Sequence, residues 1–182
     1  MDDKIKILLL EDQVTDAELA EYEIKKTTKS YVLKWVENKE KYTQALEEFD
    51  PDIIVSDYNL PSFSGLEALK IKQGIKPDVP LIIFTGSLNE DIAVGCMKAG
   101  AVDYVIKEHM KRLGPAVIGA LEQKKTTLEK RKAEEELILS EAKFHRLADN
   151  LPDILYRYLL VPNQKIEYIN PAIERITGYT PQ

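Results

Sequence analysis

Five short apolar runs punctuate the first two-thirds of the chain: Ile5–Leu10 and residues 32–36, 53–56, 81–84 and 102–106. The first, third and fourth are almost continuously hydrophobic, as strands buried on both faces of a parallel sheet must be. The stretches between them carry helix start and stop signals. Thr15 with Glu18, Ser64 with Glu67, and Ser87 with Glu90 have capping-box spacing, in which the hydroxyl accepts an N3 amide and the glutamate reaches back to the cap's own amide. Gly74 and Gly100 stand just past helical runs, where a left-handed backbone favours glycine. Strand–helix alternation of this kind predicts an α/β fold, a doubly wound parallel sheet with right-handed crossovers.

After the fifth run comes the segment 107–113, then Gly114-Pro115 as a helix start, with proline suited to the first position. Residues 115–148 contain no breaker except Gly119, which predicts a helix roughly 50 Å long. Val117, Ile118 and Leu121 suit packing on the sheet, whereas Glu, Lys and Arg dominate beyond them. Leu137, Ser140, Phe144, Leu147 and Leu151 alternate steps of three and four. That is the spacing of a coiled-coil seam, so pairing with a second copy is expected. Farther on, Ile154, Tyr156, Tyr158 and Leu160 alternate, Val161-Pro162-Asn163-Gln164 turns, and residues 166–169 form a second strand. Asn170-Pro171 then caps a helix that stops at Gly178. A hairpin and one helix bury too little apolar surface to stand alone. The expected organisation is a domain over 1–123, a connecting helix over 124–148 and the first part of another domain over 149–182.

The formal net charge of −6 disfavours a nucleic-acid partner, whose phosphates need a basic surface. One cysteine, Cys96, permits no internal disulfide and suits a reducing compartment. No apolar run reaches membrane-spanning length, and Met1-Asp2-Asp3 is unlike the basic start of a signal peptide. A cytoplasmic location is therefore expected. His109 and His145 lack metal-ligand spacing, and Cys96 and Met97 read as packing residues.

The chemistry gathers at the ends of the apolar runs. Glu11-Asp12 follows the first, and Asp57 follows the third, ahead of Leu60-Pro61 and Gly65. In a doubly wound sheet these two strands are neighbours where strand order reverses, so the three carboxylates converge on one edge. Two carboxylates about 4 Å apart repel by roughly 4 kcal/mol at an effective dielectric near 20. Such a cluster needs a cation or raised pKa values, and an all-oxygen site with room for water suits Mg²⁺. The fourth run ends in Thr85-Gly86 and the fifth in Lys107. Acids, hydroxyl and ammonium around one aspartate form a site for receiving a phosphoryl group on carboxylate oxygen.

These parts, in this order and each at a strand end, resemble the receiver domain of two-component response regulators, over residues 4–123. The resemblance implies a flavodoxin-like five-stranded sheet of order 2-1-3-4-5, with Asp57 as phosphoacceptor. It also implies Mg²⁺ held by Asp12, Asp57 and the main-chain carbonyl of Asn59, with Glu11 acting through water. Thr85 and Lys107 would bind phosphoryl oxygens, and Thr85 and Tyr104 would form the switch. The donor would be a histidine kinase or a small acyl phosphate. A homodimer would form through the connecting helix or the face of the fourth and fifth helices. One departure stands out: Lys107 is followed by Glu108 where the family often has proline, and a cis bond before a non-proline residue costs roughly 2.5–4 kcal/mol.

The segment Phe144-His145-Arg146-Leu147-Ala148-Asp149-Asn150-Leu151-Pro152-Asp153 resembles a signalling helix opening into a PAS domain. Tyr168-Ile169-Asn170-Pro171-Ala172 and Ile176-Thr177-Gly178-Tyr179 resemble that domain's early strand and helix. This implies the truncated α+β start of a PAS domain, as in a hybrid sensor histidine kinase. The stretch itself is expected to catalyse only its own phosphorylation and dephosphorylation. Two alternatives remain at this point: a phosphatase or phosphotransferase with an Asp nucleophile, and a receiver-like module that binds protein without being phosphorylated. Haloacid-dehalogenase-like enzymes want a second Asp two residues after the first, where this chain has Asn59.

Overall fold

The computed structural model describes residues 4–28, 30–86, 90–162 and 164–179; the expected cap at Ser87 and the turn residue Asn163 lie outside the described residues. Strands β1 (Ile5–Leu10), β2 (Tyr31–Val36), β3 (Ile53–Asp57), β4 (Leu81–Thr85) and β5 (Asp103–Ile106) form one sheet of order β2-β1-β3-β4-β5. All four pairings are parallel. The apolar runs read from the sequence are these strands, with bounds that differ by at most one residue. Every residue of β3 and β4 is buried.

The alternation of side chains along a strand splits the core into two layers. Leu8, Leu10, Ile54, Leu81 and Ile83 meet Tyr42, Ala45, Leu46, Ala68, Leu69 and Cys96 from α2 (Lys39–Glu48), α3 (Gly65–Ile75) and α4 (Glu90–Lys98). On the opposite face, Ile7, Leu9, Ile53, Val55, Ile82, Phe84 and Val105 pack on Ala17, Ala20, Ile24, Leu113, Val117 and Ala120. These belong to α1 (Val14–Thr27) and the first turns of α5 (Leu113–Asp149). The result is the flavodoxin-like doubly wound fold. Strand order reverses between β1 and β3, so their carboxyl ends open a crevice side by side.

The helix ends show where local signals held. Ser64 and Glu67 make both bonds of a capping box at the start of α3. Gly100, at φ 98°, closes α4 in a Schellman arrangement: its N–H donates to the Met97 carbonyl and that of Ala101 to Cys96. Thr15, by contrast, lies inside α1, which starts at Val14 with no side-chain cap. Chain leaving β1 enters the helix at once, and Glu11 Oε1 accepts the Gln13 amide at 3.2 Å. Gly74 is also internal, because α3 runs on to Ile75, its last turn held by the Lys72 ammonium donating to the Pro77 carbonyl at 2.8 Å. A short 3-10 helix, Lys107–Arg112, leads into α5, which starts at Leu113, ahead of Gly114-Pro115. Gly114 is needed there, since a Cβ would lie 2.9 Å from the Glu23 carbonyl oxygen and against Thr27.

Contacts divide the chain into two units, residues 1–127 and 128–182. The second contains the rest of α5, the antiparallel pair β6 (Tyr156–Leu159) and β7 (Lys165–Ile169), and α6 (Ala172–Thr177). The expected cap at Asn170 is corrected: its side chain makes no cap bond, and the cap position is Pro171. Asn170 is fully buried. It donates to the carbonyls of Ala148 and Asp153 and accepts the Leu155 amide, tying the end of α5 to the hairpin. Three claims on one amide outweigh a helix cap. Gly178, at φ 76°, ends α6 as its position suggested. Among the described residues no helix is long and apolar enough to cross a membrane.

Candidate functional site

The buried hydrophobic run of β1 ends at Glu11, whose side chain is fully buried, and that of β3 ends at Asp57, only 8% exposed. Glu11, Asp12 and Asp57 bring one carboxylate oxygen each within 4.8 Å of one another. Lys107, the residue after β5, extends across the crevice, and its Nζ lies 2.8 Å from Asp57 Oδ2 and 2.8 Å from Glu11 Oε2. The N–H aligned on Asp57 makes a hydrogen bond. At Glu11 Oε2 no donor is aligned, so that contact is charge attraction alone. Lys107 reaches the crevice without a cis peptide: among the described residues the one cis bond is Val161–Pro162. The 3-10 turn after β5 and the face of Phe84, 5.5 Å from Nζ, set the side chain's course instead.

The electrostatics follow from this crowding. Burial pushes the Glu11 carboxyl up, Lys107 pulls it back and the Asp57 charge raises it again, to about 7 from 4.5. Burial alone would lower Lys107; its ion pairs with Asp16, Asp57 and Glu11 outweigh that and hold the ammonium above its ordinary range. Between about pH 4.5 and 7 the folded, divalent-free chain therefore binds more protons at Glu11 than the unfolded chain does. Stability falls with rising pH wherever the native state holds the extra proton, here by a total on the order of 3 kcal/mol. Denaturant titrations of the native chain and Glu11→Gln across that range measure this. The native chain should lose ground to the variant as pH rises, and a difference independent of pH would contradict it.

The remaining expected residues sit around this centre. Thr85 is fully buried at the tip of β4, in register with Ile106, the residue before Lys107. A Cβ on Gly86 would meet nothing nearer than the Lys107 stem, at 3.9 Å. Tyr104, half-buried on β5, packs against the core layer that includes Ile83 and Cys96. The Asn59 amide donates to Asp57 Oδ1 at 3.2 Å, and Asp12 Oδ2 accepts from Gln13 Nε2 at 2.9 Å. Gly65 lies directly beneath the acceptor: a Cβ there would sit 2.9 Å from the Asp57 carbonyl oxygen and 3.0 Å from Tyr58 Cα. Two participants escaped the sequence reading. Asp16 Oδ2, in the first turn of α1, accepts a 2.6 Å bond from Lys107. The Trp35 indole donates to the Glu11 carbonyl at 2.7 Å. Asp16, an acid one helical turn past Asp12, carries no sign of its distant partner in the sequence, and Trp35, on β2, carries none either.

A family model for the response regulator receiver domain matches residues 7–118. The chain belongs to the response regulator receiver domain family. Receivers are phosphoacceptor modules of two-component signalling, and the relatives found are response regulators. The chain is 42% identical over 77 residues to the methanogenesis regulatory protein FilR1 of Methanothrix harundinacea, covering 42% of this chain and 16% of that one. It is 31% identical over 104 residues to the transcriptional regulatory protein YdfI of Bacillus subtilis, covering 57% and 48%. The matches thus span about half or less of these regulators' own lengths. Among solved structures, the signal receiver domain of a LuxO repressor protein from Vibrio parahaemolyticus superposes with a TM-score of 0.61 at 28% identity. That superposition covers 68% of this chain and 95% of that one.

Proposed function

We propose that Asp57 of this receiver accepts a phosphoryl group from the phosphohistidine of a histidine kinase, or from a small acyl phosphate. The observation that carries this reading is the meeting of one nearly buried carboxylate, Asp57, with the Lys107 ammonium at 2.8 Å in a crevice that holds two further acids. In the transfer, a carboxylate oxygen of Asp57 bonds to phosphorus, and the bond from phosphorus to the donor's nitrogen or oxygen breaks with its electron pair. Lys107 supplies positive charge to the phosphoryl oxygens, and preorganised charge of this kind is the main protein contribution to such reactions.

The residues present fit Mg²⁺: oxygen donors alone, more negative charge than one lysine balances, and a buried Glu11 oxygen with no aligned donor. Asp12, Asp57 and the Asn59 carbonyl would hold the ion, with Glu11 acting through water. When bound, Mg²⁺ would neutralise charge on the transferring group. Phosphorylated Asp57 carries new charge and acceptor oxygens. The Thr85 hydroxyl moves toward them, and the Tyr104 ring fills the space it leaves, reshaping the surface of α4, β5 and α5. The Lys107 bond, the burial of Thr85 and the half-buried packing of Tyr104 support these roles.

The longer setting we infer is a cytoplasmic hybrid sensor with domain boundaries at 1–123, 124–148 and 149–182. In it, residues 149–182 begin a PAS domain. The hairpin followed by α6 supports that reading. Leu137, Phe144, Leu147 and Leu151 are exposed along and just beyond α5, which supports dimerisation through this helix.

The test is incubation with acetyl phosphate and Mg²⁺ followed by intact-mass measurement. One added phosphate is expected, lost in Asp57→Asn and suppressed by EDTA. Continuous turnover of varied phosphate esters would favour a phosphatase, and no adduct would favour a binding module.

A further inference from the structure

Lys107 is engaged by more acids than phosphoryl transfer requires. Its ammonium has three N–H donors, and its shortest contact is with neither member of the crevice pair but with Asp16 Oδ2, at 2.6 Å against 2.8 Å to Asp57 and 2.8 Å to Glu11. Asp16 belongs to a different element from the acceptor, the first turn of α1, and its side chain is 30% exposed at the rim. It is not one of the three acids whose oxygens cluster closely enough to share an ion. Nor does it cap α1, whose cap position is Gln13. Its carboxylate is committed to Lys107.

We propose that Asp16 is a positioning residue that competes with the incoming phosphoryl group for the Lys107 ammonium and so slows phosphorylation. This deepens the function proposed above and rests on it. In the unmodified chain, Asp16 and Asp57 hold aligned N–H bonds from Lys107. As acetyl phosphate reacts, an Asp57 oxygen bonds to phosphorus and acetate departs with the electron pair of the broken P–O bond. Lys107 must then turn a donor toward phosphoryl oxygens. Asp16 holds one donor back and adds a negative charge facing an anionic reactant. A carboxylate at the rim rather than in the core allows this restraint to yield, because solvent can take over its solvation when the lysine leaves.

An ordinary first-turn acid helps a helix through its dipole, and replacing it would lower stability without speeding any reaction. The two roles therefore separate by rate. Labelling by acetyl phosphate with Mg²⁺ is measured on the native chain, Asp16→Asn, Asp16→Ala and Asp16→Glu, with circular dichroism to confirm folding. The second-order rate constant is expected to rise about three- to tenfold in both the Asn and Ala variants, the size of one partly screened charge contact, and to return to the native value with Glu. The gain should vanish when Lys107 is already alanine, as coupling through one shared partner requires. Calorimetry with beryllofluoride and Mg²⁺ should show the same tighter binding in Asp16→Asn without any turnover. An unchanged or lower rate in Asp16→Asn, or an equal gain with and without Lys107, would overturn the role of Asp16 while leaving Asp57 as acceptor. A native chain that takes no phosphate at all would overturn both readings.

Discussion

Replacing Lys107 with alanine is expected to destabilise the divalent-free chain by about 3–5 kcal/mol at pH 8 and to slow phosphate acceptance by about 10²–10³. Both effects follow from a single ammonium facing three carboxylates, two of them with side chains no more than 8% exposed. Without it, buried like charges repel across a medium that screens poorly. The stability loss should shrink toward pH 5, because Glu11 already titrates near 7 and can take a proton instead of a partner. It should shrink as well on adding Mg²⁺, since a ligand that binds only the native site stabilises by mass action. Thermal melts at both pH values, with and without Mg²⁺, together with acetyl phosphate labelling, measure the two halves separately. A variant as stable as the native chain at pH 8 without divalent ions would show that the acids do not crowd as described.

Gly65→Ala should be nearly as damaging for a different reason. The added methyl would meet the Asp57 carbonyl oxygen at 2.9 Å and Tyr58 Cα at 3.0 Å, both backbone, and Ile83 Cδ1 at 3.0 Å. Backbone cannot rotate aside as a side-chain tip can. The loop that carries Asp57 must shift, which costs about 1–3 kcal/mol of overpacking. Labelling should slow by about 10² if the acceptor moves by an ångström. Gly74→Ala in the same helix is the control: nothing lies within 4 Å of its missing Cβ, so it should stabilise by about 0.5–1 kcal/mol. Equal melting temperatures for the two variants would contradict the close approach at Gly65.

What could be read beforehand divides along physical lines. The sheet was legible because β1, β3 and β4 are buried on both faces, which forces a nearly unbroken apolar run that few other structures demand. The acids were legible because they stand at the ends of two such runs, and Lys107 because it follows the fifth, shorter one. Helix ends were less so. The Thr15 signal failed because α1 already begins at Val14, with Gln13 in the cap position, and the amide of that cap is taken by Glu11, an acid of the site. Asn170 has the composition of a cap, yet it binds three backbone groups on other segments, 15 to 22 residues away in sequence. Asp16 looked like any acid in a first turn, since only the folded chain brings residue 107 within reach of residue 16. Local sequence reports local demands, and contacts that close between distant segments leave no period to find.

The most direct test locates the phosphate itself. Borohydride reduction of the acetyl phosphate-treated chain would convert an acyl phosphate to an alcohol, marking the modified aspartate as homoserine for peptide sequencing by mass spectrometry. Homoserine is expected at position 57 alone; the same mark at Asp12, at Asp16 or at no acidic residue would contradict phosphate acceptance by Asp57.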